Sequence, residues 1–422
     1  MIVAACFLHQ KGLLMAKIRN IKVIVTSPGR NYVLVKVETD EPELYGWGDA
    51  TLNGRELAVA TVLEQHIIPL LIGRDPDQIE DIWQFLFRGA YWRGGPVLMT
   101  ALAGIDLALW DIKGKRAGLP VYSLLGGKTR EGAWAYVHCS GSDFKEVEES
   151  AIARIEQGFK FIRGQVAIPG NIGTYGVASP HRTPVDPGWG DGGPLPAVEQ
   201  WEPASYLRTI PRLFEHLRGA LGDDVQLLHD VHERLTPIQA AQLANDLEPY
   251  RLFFLEDPLR PEHKESFRII RQHTTIPIAM GELFHTRWDA LPLITEQLID
   301  FIRCDIGHIG GLTEARKIAA IAESYNVQTA WHGPPDIAPI THAANVHLDV
   351  AIPNFGVQEL TFFPEVTEAV IQGGPTYRDG RLFVSDAPGL GTDVDEAEAA
   401  KHPYERSYLP TVRRADGSVH DW

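Results

Sequence analysis

Gln226-Leu-Leu-His-Asp230, Phe253-Phe-Leu-Glu256 and Ile278-Ala-Met-Gly-Glu282 are three short apolar runs, each closed by an acid. The acids stand at equal spacings of 26 residues. After each run there is room for a loop and a helix. That rhythm is the period of βα units in a parallel barrel, and it predicts three carboxylates side by side at the C-terminal mouth, where barrels carry their chemistry. Three converging carboxylates repel one another unless a cation joins them, and hard oxygen ligands suit Mg²⁺. The competing use of such acids is to cap the following helices. For a single acid the two readings are even; for three at one spacing, metal binding is the stronger.

The same alternation extends outward. Candidate strands are 133–138, 160–165, 225–230, 252–256, 277–281, 300–304, 328–332 and 356–359, with helices between most of them, such as 145–157, 203–219, 237–249 and 312–325. About eight such strands close a barrel. Upstream, residues 17–50 alternate as strands around the turn Ser27-Pro-Gly-Arg-Asn31, and 55–72, 76–89 and 97–117 have helical spacing. In the last of these Leu102, Ile105, Leu109 and Ile112 share one face, flanked by Asp106 and Asp111. The division is thus an α+β domain over 17–132, a (β/α) barrel over 133–375 and a C-terminal segment over 376–422. Residues 1–16 read as an N-terminal extension, with Met15 a candidate start. The Gly- and Pro-rich stretch 166–202 is too long for an ordinary connection and reads as a lid, with Tyr175 and Trp189 placed to close over a substrate.

Composition narrows the function. A net charge of −16 disfavours nucleic acid and anionic membranes as partners. No segment reads as transmembrane. Cys6, Cys139 and Cys304 match no zinc spacing, and an odd, sparse set argues against a disulfide scaffold, so a reducing cytoplasm is the simplest location.

His232 lies two residues beyond Asp230. In an extended segment the two share a face, so His232 can serve beside the metal as general acid or base, or stand as a solvent-exposed loop residue. Arg303 and Asp305 repeat the i, i+2 pattern. Arg303 suits a substrate carboxylate, or equally an internal ion pair. His332 is placed for a His–Asp pair with Asp305. His342 and His347 read as surface or packed residues. A guanidinium such as Arg163 would lower the pKa of a tyrosine such as Tyr175, but spacing alone leaves that pair as core packing and a loop aromatic.

These strings together resemble the enolase superfamily, and within it the D-mannonate dehydratase family. The matching pieces are Arg163-Gly-Gln165, Tyr175-Gly-Val177, His229-Asp-Val-His-Glu233, Leu255-Glu-Asp-Pro258, Met280-Gly-Glu-Leu-Phe284, Arg303-Cys-Asp-Ile-Gly-His308 and Trp331-His-Gly-Pro-Pro-Asp336. Racemase and cycloisomerase relatives typically carry a Lys-x-Lys base motif where this chain has Phe161-Ile-Arg163-Gly-Gln165. The resemblance implies a modified TIM barrel under an α+β capping domain, to which the C-terminal segment returns. It implies one Mg²⁺ per subunit, held by Asp230, Glu256 and Glu282. Tyr175, its phenolate favoured by Arg163, would take the proton from C2, and His232 would protonate the departing 3-hydroxyl. Asn53, His138, Glu282, Arg303, His332, Asp336 and Glu359 would line the substrate site, with Trp422 a further possible contact. The implied reaction is dehydration of D-mannonate to 2-keto-3-deoxy-D-gluconate by a homo-oligomer, an octamer built from dimers. The alternatives are a low-efficiency or D-gluconate-accepting dehydratase (Pro334 shapes a loop where members differ), racemisation through His332, and a non-catalytic regulatory paralogue.

Overall fold

Strand pairing in the computed structural model, which describes residues 16–171, 174, 177 and 198–421, closes a ring. Among the described residues, eight barrel strands run Ala133–Gly141, Phe161–Val166, Gln226–Asp230, Phe254–Glu256, Ile278–Met280, Phe301–Ile302, Gln328–Thr329 and Gln358–Glu359. Each pairs in parallel with the next through the seventh, and the eighth pairs with the first. A parallel bridge between Thr329 and Phe355 completes the circuit. The later strands are shorter than their apolar runs suggested, because the chain leaves the ladder to form the loops of the mouth.

Helices fill the intervals, and their starts are legible. Asp143 accepts a hydrogen bond from the Glu146 N–H at 2.9 Å and caps Phe144–Glu156. Thr236 with Gln239, and Thr286 with Asp289, form capping boxes ahead of Pro237–Leu247 and Arg287–Thr295. Inside the ring, Tyr136, Leu228, Phe254, Ala279, Phe301, Ala330 and Val357 pack as one buried cluster. This plug is a floor, so the barrel is not a pore.

The N-terminal strands Ile18–Thr26, Tyr32–Thr39 and Tyr45–Asp49 form an antiparallel sheet. Helix Pro96–Ala117 lies between this sheet and the barrel. The sequence suggested one apolar face, but the helix is buried nearly all round. Asp106 and Asp111 do not flank a wet face; they are buried anchors. Asp111 accepts from the Trp47 and Leu390 backbone N–H groups at 3.0 and 2.8 Å, and Asp106 accepts from the Thr313 N–H at 2.9 Å. The predicted helix over 55–72 is also interrupted, with a π-helical turn at Leu63–Ile67.

Close approach of sheet and helix requires glycine. A Cβ on Gly48 would lie 1.9 Å from the Gly104 carbonyl oxygen, which is backbone and cannot rotate away. Gly48→Ala is therefore expected to destabilise the protein by about 1–3 kcal/mol through overpacking. Thermal denaturation checks this; an unchanged Tm would show that sheet and helix separate at little cost.

The remaining chain ties this N-terminal layer to the barrel. Asp49 accepts from the Ala338 N–H and the Thr341 hydroxyl at 2.7 and 2.8 Å, and the Trp47 indole donates to Asp393 at 2.8 Å. The Trp83 indole donates to the Gly310 carbonyl at 2.8 Å, and the Trp110 indole to the Thr313 hydroxyl at 2.9 Å. No described helix is long and apolar enough to cross a membrane.

Candidate active site

At the C-terminal ends of the barrel strands, carboxylates and guanidiniums interlock. Asp230 and Glu256 are direct partners in the ladder register, so they stand at one height. Arg163, on the second strand, donates to both, at 3.1 and 2.9 Å. Arg303 lies on the far side. Its guanidinium is 2.9 Å from Glu256 and donates to Asp257 at 2.6 Å, Glu282 at 2.5 Å and Glu359 at 2.9 Å. Both arginines are buried.

The predicted trio is not equivalent in height. Glu256 faces Ala279 in the next ladder, so Glu282 lies three residues farther along its strand line than equal spacing implied. Gly281, at φ +144°, turns the chain there. Among the described residues the compact oxygen cluster is Asp230, Glu256 and Asp257, and Glu282 joins it across Arg303. Asp257 went unremarked in the sequence, although Glu256-Asp257 stands in the motif already quoted.

His232 reaches the site by a different route from the one its spacing suggested. Asp230 ends its strand, but the chain does not stay extended to 232. His232 and Glu233 have φ of +55° and +64°, and Asp230 accepts from the His232 N–H at 2.7 Å. The turn carries the His232 ring to 3.6 Å from Glu282. Non-glycine residues at such φ are uncommon and cluster where function over-determines the backbone. Arg303 likewise lies beyond its strand, which ends at Ile302.

His138 accepts from Arg163 on Nδ1 at 3.1 Å, so its Nε2–H donates to Glu359 at 2.8 Å. Tyr136, two residues earlier on the same strand, caps the apolar floor. Its hydroxyl accepts from Arg303 at 3.1 Å and faces Glu256 at 3.3 Å. Only its i, i+2 relation to His138 signalled it. His332 and Asp305 are 2.8 Å apart, and His332 lies 3.5 Å from Glu282. Asn53, from the N-terminal layer, donates to Asp336 at 3.0 Å. His342 and His347 are packed residues: both rings are buried against backbone carbonyls. Tyr175, Trp189 and Trp422 lie outside the described residues, and so does any contact of Tyr175 with Arg163.

Five carboxylates (Asp230, Glu256, Asp257, Glu282 and Glu359) thus surround two guanidiniums. Burial and the two arginines set the titration of three of them in opposite directions. Burial pushes Glu256 up to about 8, with Arg303 opposing and Asp230 adding. Burial likewise raises Asp257 to about 7 against Arg303. Glu282 goes the other way: burial would raise it, but His332, Arg303 and His232 hold it at about 2. Buried oxygen donors with uncompensated charge fit a hard divalent cation.

His332 is a second titrating centre. Burial opposes its charge, but Glu282 and the hydrogen bond to Asp305 outweigh burial and raise it from 6.5 to about 9. A raised folded pKa means that protonation stabilises the fold fully below 6.5, and that this contribution is lost as pH rises through about 9. The Tm of metal-free protein is expected to fall over that window, and Asp305→Asn should flatten the fall. An unchanged pH profile in the variant would show that the pair does not hold the proton.

Comparison with known proteins agrees with this geometry. Residues 16–126 match the mandelate racemase / muconate lactonizing enzyme N-terminal domain, and residues 186–398 match the enolase C-terminal domain-like family. A D-mannonate dehydratase of Caulobacter vibrioides is 53% identical over 408 residues, covering 97% of this chain and 100% of that protein. A D-galactonate dehydratase family member of Streptomyces bingchenggensis is 51% identical over 402 residues, covering 95% and 97%. The crystal structure of an enolase from Pantoea ananatis with bound D-gluconate and Mg superposes with a TM-score of 0.88 at 48% identity, covering 96% of this chain and 99% of that one. With the cap, the closed barrel and the acids at its mouth, these matches place the chain in the mandelate racemase / muconate lactonizing enzyme family of the enolase superfamily.

Proposed function

We propose that this protein is a Mg²⁺-dependent sugar-acid dehydratase that converts D-mannonate to 2-keto-3-deoxy-D-gluconate. The observation that carries the reading is the buried acid cluster at the barrel mouth with His232 turned against it, in a chain about half identical to D-mannonate dehydratases over their whole length. Asp230, Glu256 and Glu282 would hold the ion, with Asp257 beside them; when bound it supplies the positive charge that makes the C2 proton acidic.

The chain's own residues divide the remaining work. Arg303, His138, His332 and Glu359 line the substrate site. Arg163 favours the phenolate of Tyr175, which removes the C2 proton. His232 delivers a proton to the 3-hydroxyl as the C3–O bond breaks, and the enol tautomerises to the 2-keto acid. Asn53 and Asp336 meet the hydroxyl-bearing end from the cap side. A second reading, a dehydratase that also accepts D-gluconate, is favoured by the Pantoea ananatis structure with D-gluconate bound. Family resemblance supports a homo-oligomer, an octamer built from dimers. The buried free thiols Cys139 and Cys304 suit a reducing cytoplasm.

The test is a panel of aldonic acids with Mg²⁺, read as 2-keto-acid formation. D-Mannonate should react, D-gluconate more slowly or not at all, and EDTA should abolish turnover. If both fail while another sugar acid reacts, the substrate assignment is wrong.

A further inference from the structure

Asp336 is grasped from the cap on both oxygens. Asn53 donates to Oδ2 at 3.0 Å, and Oδ1 pairs with the Arg30 guanidinium. Nothing in the sequence marked Arg30 beyond its place in the turn after the first strand. That turn is held on two sides. The Thr367 hydroxyl donates to the Pro28 carbonyl at 2.6 Å, and Gly29, at φ +83°, leaves space that a Cβ would close to 3.1 Å from Pro364. On the other side the Ser27 N–H donates to the His402 carbonyl at 2.8 Å, and Asn31 bonds the Glu405 carbonyl and N–H at 2.7 and 3.3 Å.

The loop that carries Asp336 is fixed too. The Gly333 N–H donates to Glu359 at 2.9 Å, inside the acid cluster, and the Tyr32 hydroxyl donates to the Pro335 carbonyl at 3.3 Å. Two anchored backbones therefore face each other, and the Arg30 side chain spans the gap between them. With half of that side chain exposed, the ion pair contributes little to stability. Its geometric effect is larger, because it leaves the Asp336 carboxylate one orientation.

We propose that Arg30 is a specificity-determining positioning residue: it aims the Asp336 carboxylate at the distal hydroxyls of the sugar-acid chain. This rests on the dehydratase reading above. On that reading the distal hydroxyls of a six-carbon aldonate meet Asp336, and a four-carbon aldonate, ending two carbons earlier, does not. Arg30 thereby sets the preference for chain length without touching the reacting carbons.

The experiment compares wild type with Arg30→Gln and Arg30→Lys on four- and six-carbon aldonates. In Arg30→Gln the KM for the six-carbon acid should rise about 10-fold, kcat should stay within about twofold, and the four-carbon acid should be unaffected. Arg30→Lys should recover part of the loss. The crystal structure of Arg30→Gln should show the Asp336 carboxylate turned from its wild-type orientation, with the 333–338 backbone unmoved. An unchanged KM ratio, or equal losses on both acids, overturns the proposal. If wild type dehydrates no sugar acid, the functional reading fails. The crystal structure of Arg30→Gln then still decides the link: an unmoved Asp336 carboxylate overturns it.

Discussion

Glu256→Gln is expected to abolish dehydration, lowering turnover on the order of 10³-fold or more, while leaving the metal-free protein folded. The two halves of this result have one cause. Glu256 is fully buried between Arg163 and Arg303, each 2.9 Å away. Breaking a buried ion pair usually costs about 3–5 kcal/mol. Here burial and Asp230 have already pushed the acid up to about 8, so at neutral pH the metal-free site favours its neutral form, which glutamine copies in shape and charge. A raised carboxyl pKa also means that folding stability falls as pH climbs from 4.5 through about 8, a loss that glutamine removes. Metal-free Glu256→Gln should therefore lose less Tm than wild type as pH is raised from 4.5 through about 8. Wild type should gain Tm on adding Mg²⁺, by about 2.7 kcal/mol at 100 times Kd, and the variant should not. Retention of the Mg²⁺-induced shift would remove Glu256 from the ligand set and leave Asp230 and Glu282 to carry it.

His232→Asn should lower dehydration by about 10²–10⁴-fold while C2 proton exchange survives. Asparagine is the informative replacement because position 232 sits at φ +55°, where asparagine is among the tolerated residues, so the turn that shapes the site is kept. On the proposed roles, proton abstraction at C2 does not need His232, whereas loss of the 3-hydroxyl does. Substrate recovered from D₂O should therefore carry deuterium at C2 even where no keto acid forms. If exchange and dehydration vanish together, His232 acts before the C–O bond breaks and its role is not that of the leaving-group acid. If dehydration persists at the wild-type rate, the proton comes from elsewhere. In the metal-free site burial holds His232 below its usual 6.5 against Asp230 and Glu282.

Local patterning determined most of the architecture. Apolar runs of strand length at the βα period were sufficient to place eight strands, because that period acts between residues near in sequence. The residue types of the site stood out as well: acids, arginines and histidines within or just beyond the apolar runs. What the one-dimensional pattern left open was height and direction. The equal spacings of 26 residues put three acids on one level, but the ladder sets Glu256 opposite Ala279, so Glu282 stands higher and meets the cluster through Arg303. Ladder register and barrel stagger are set by packing between strands, and no spacing along the chain records them. For the same reason the left-handed turn at His232 and the approach of Arg30 to Asp336, 306 residues away, belong to the tertiary structure. The sequence by itself determined which groups are available to hold a cation and move a proton. The closed barrel and the cap docked upon it decided which of them meet.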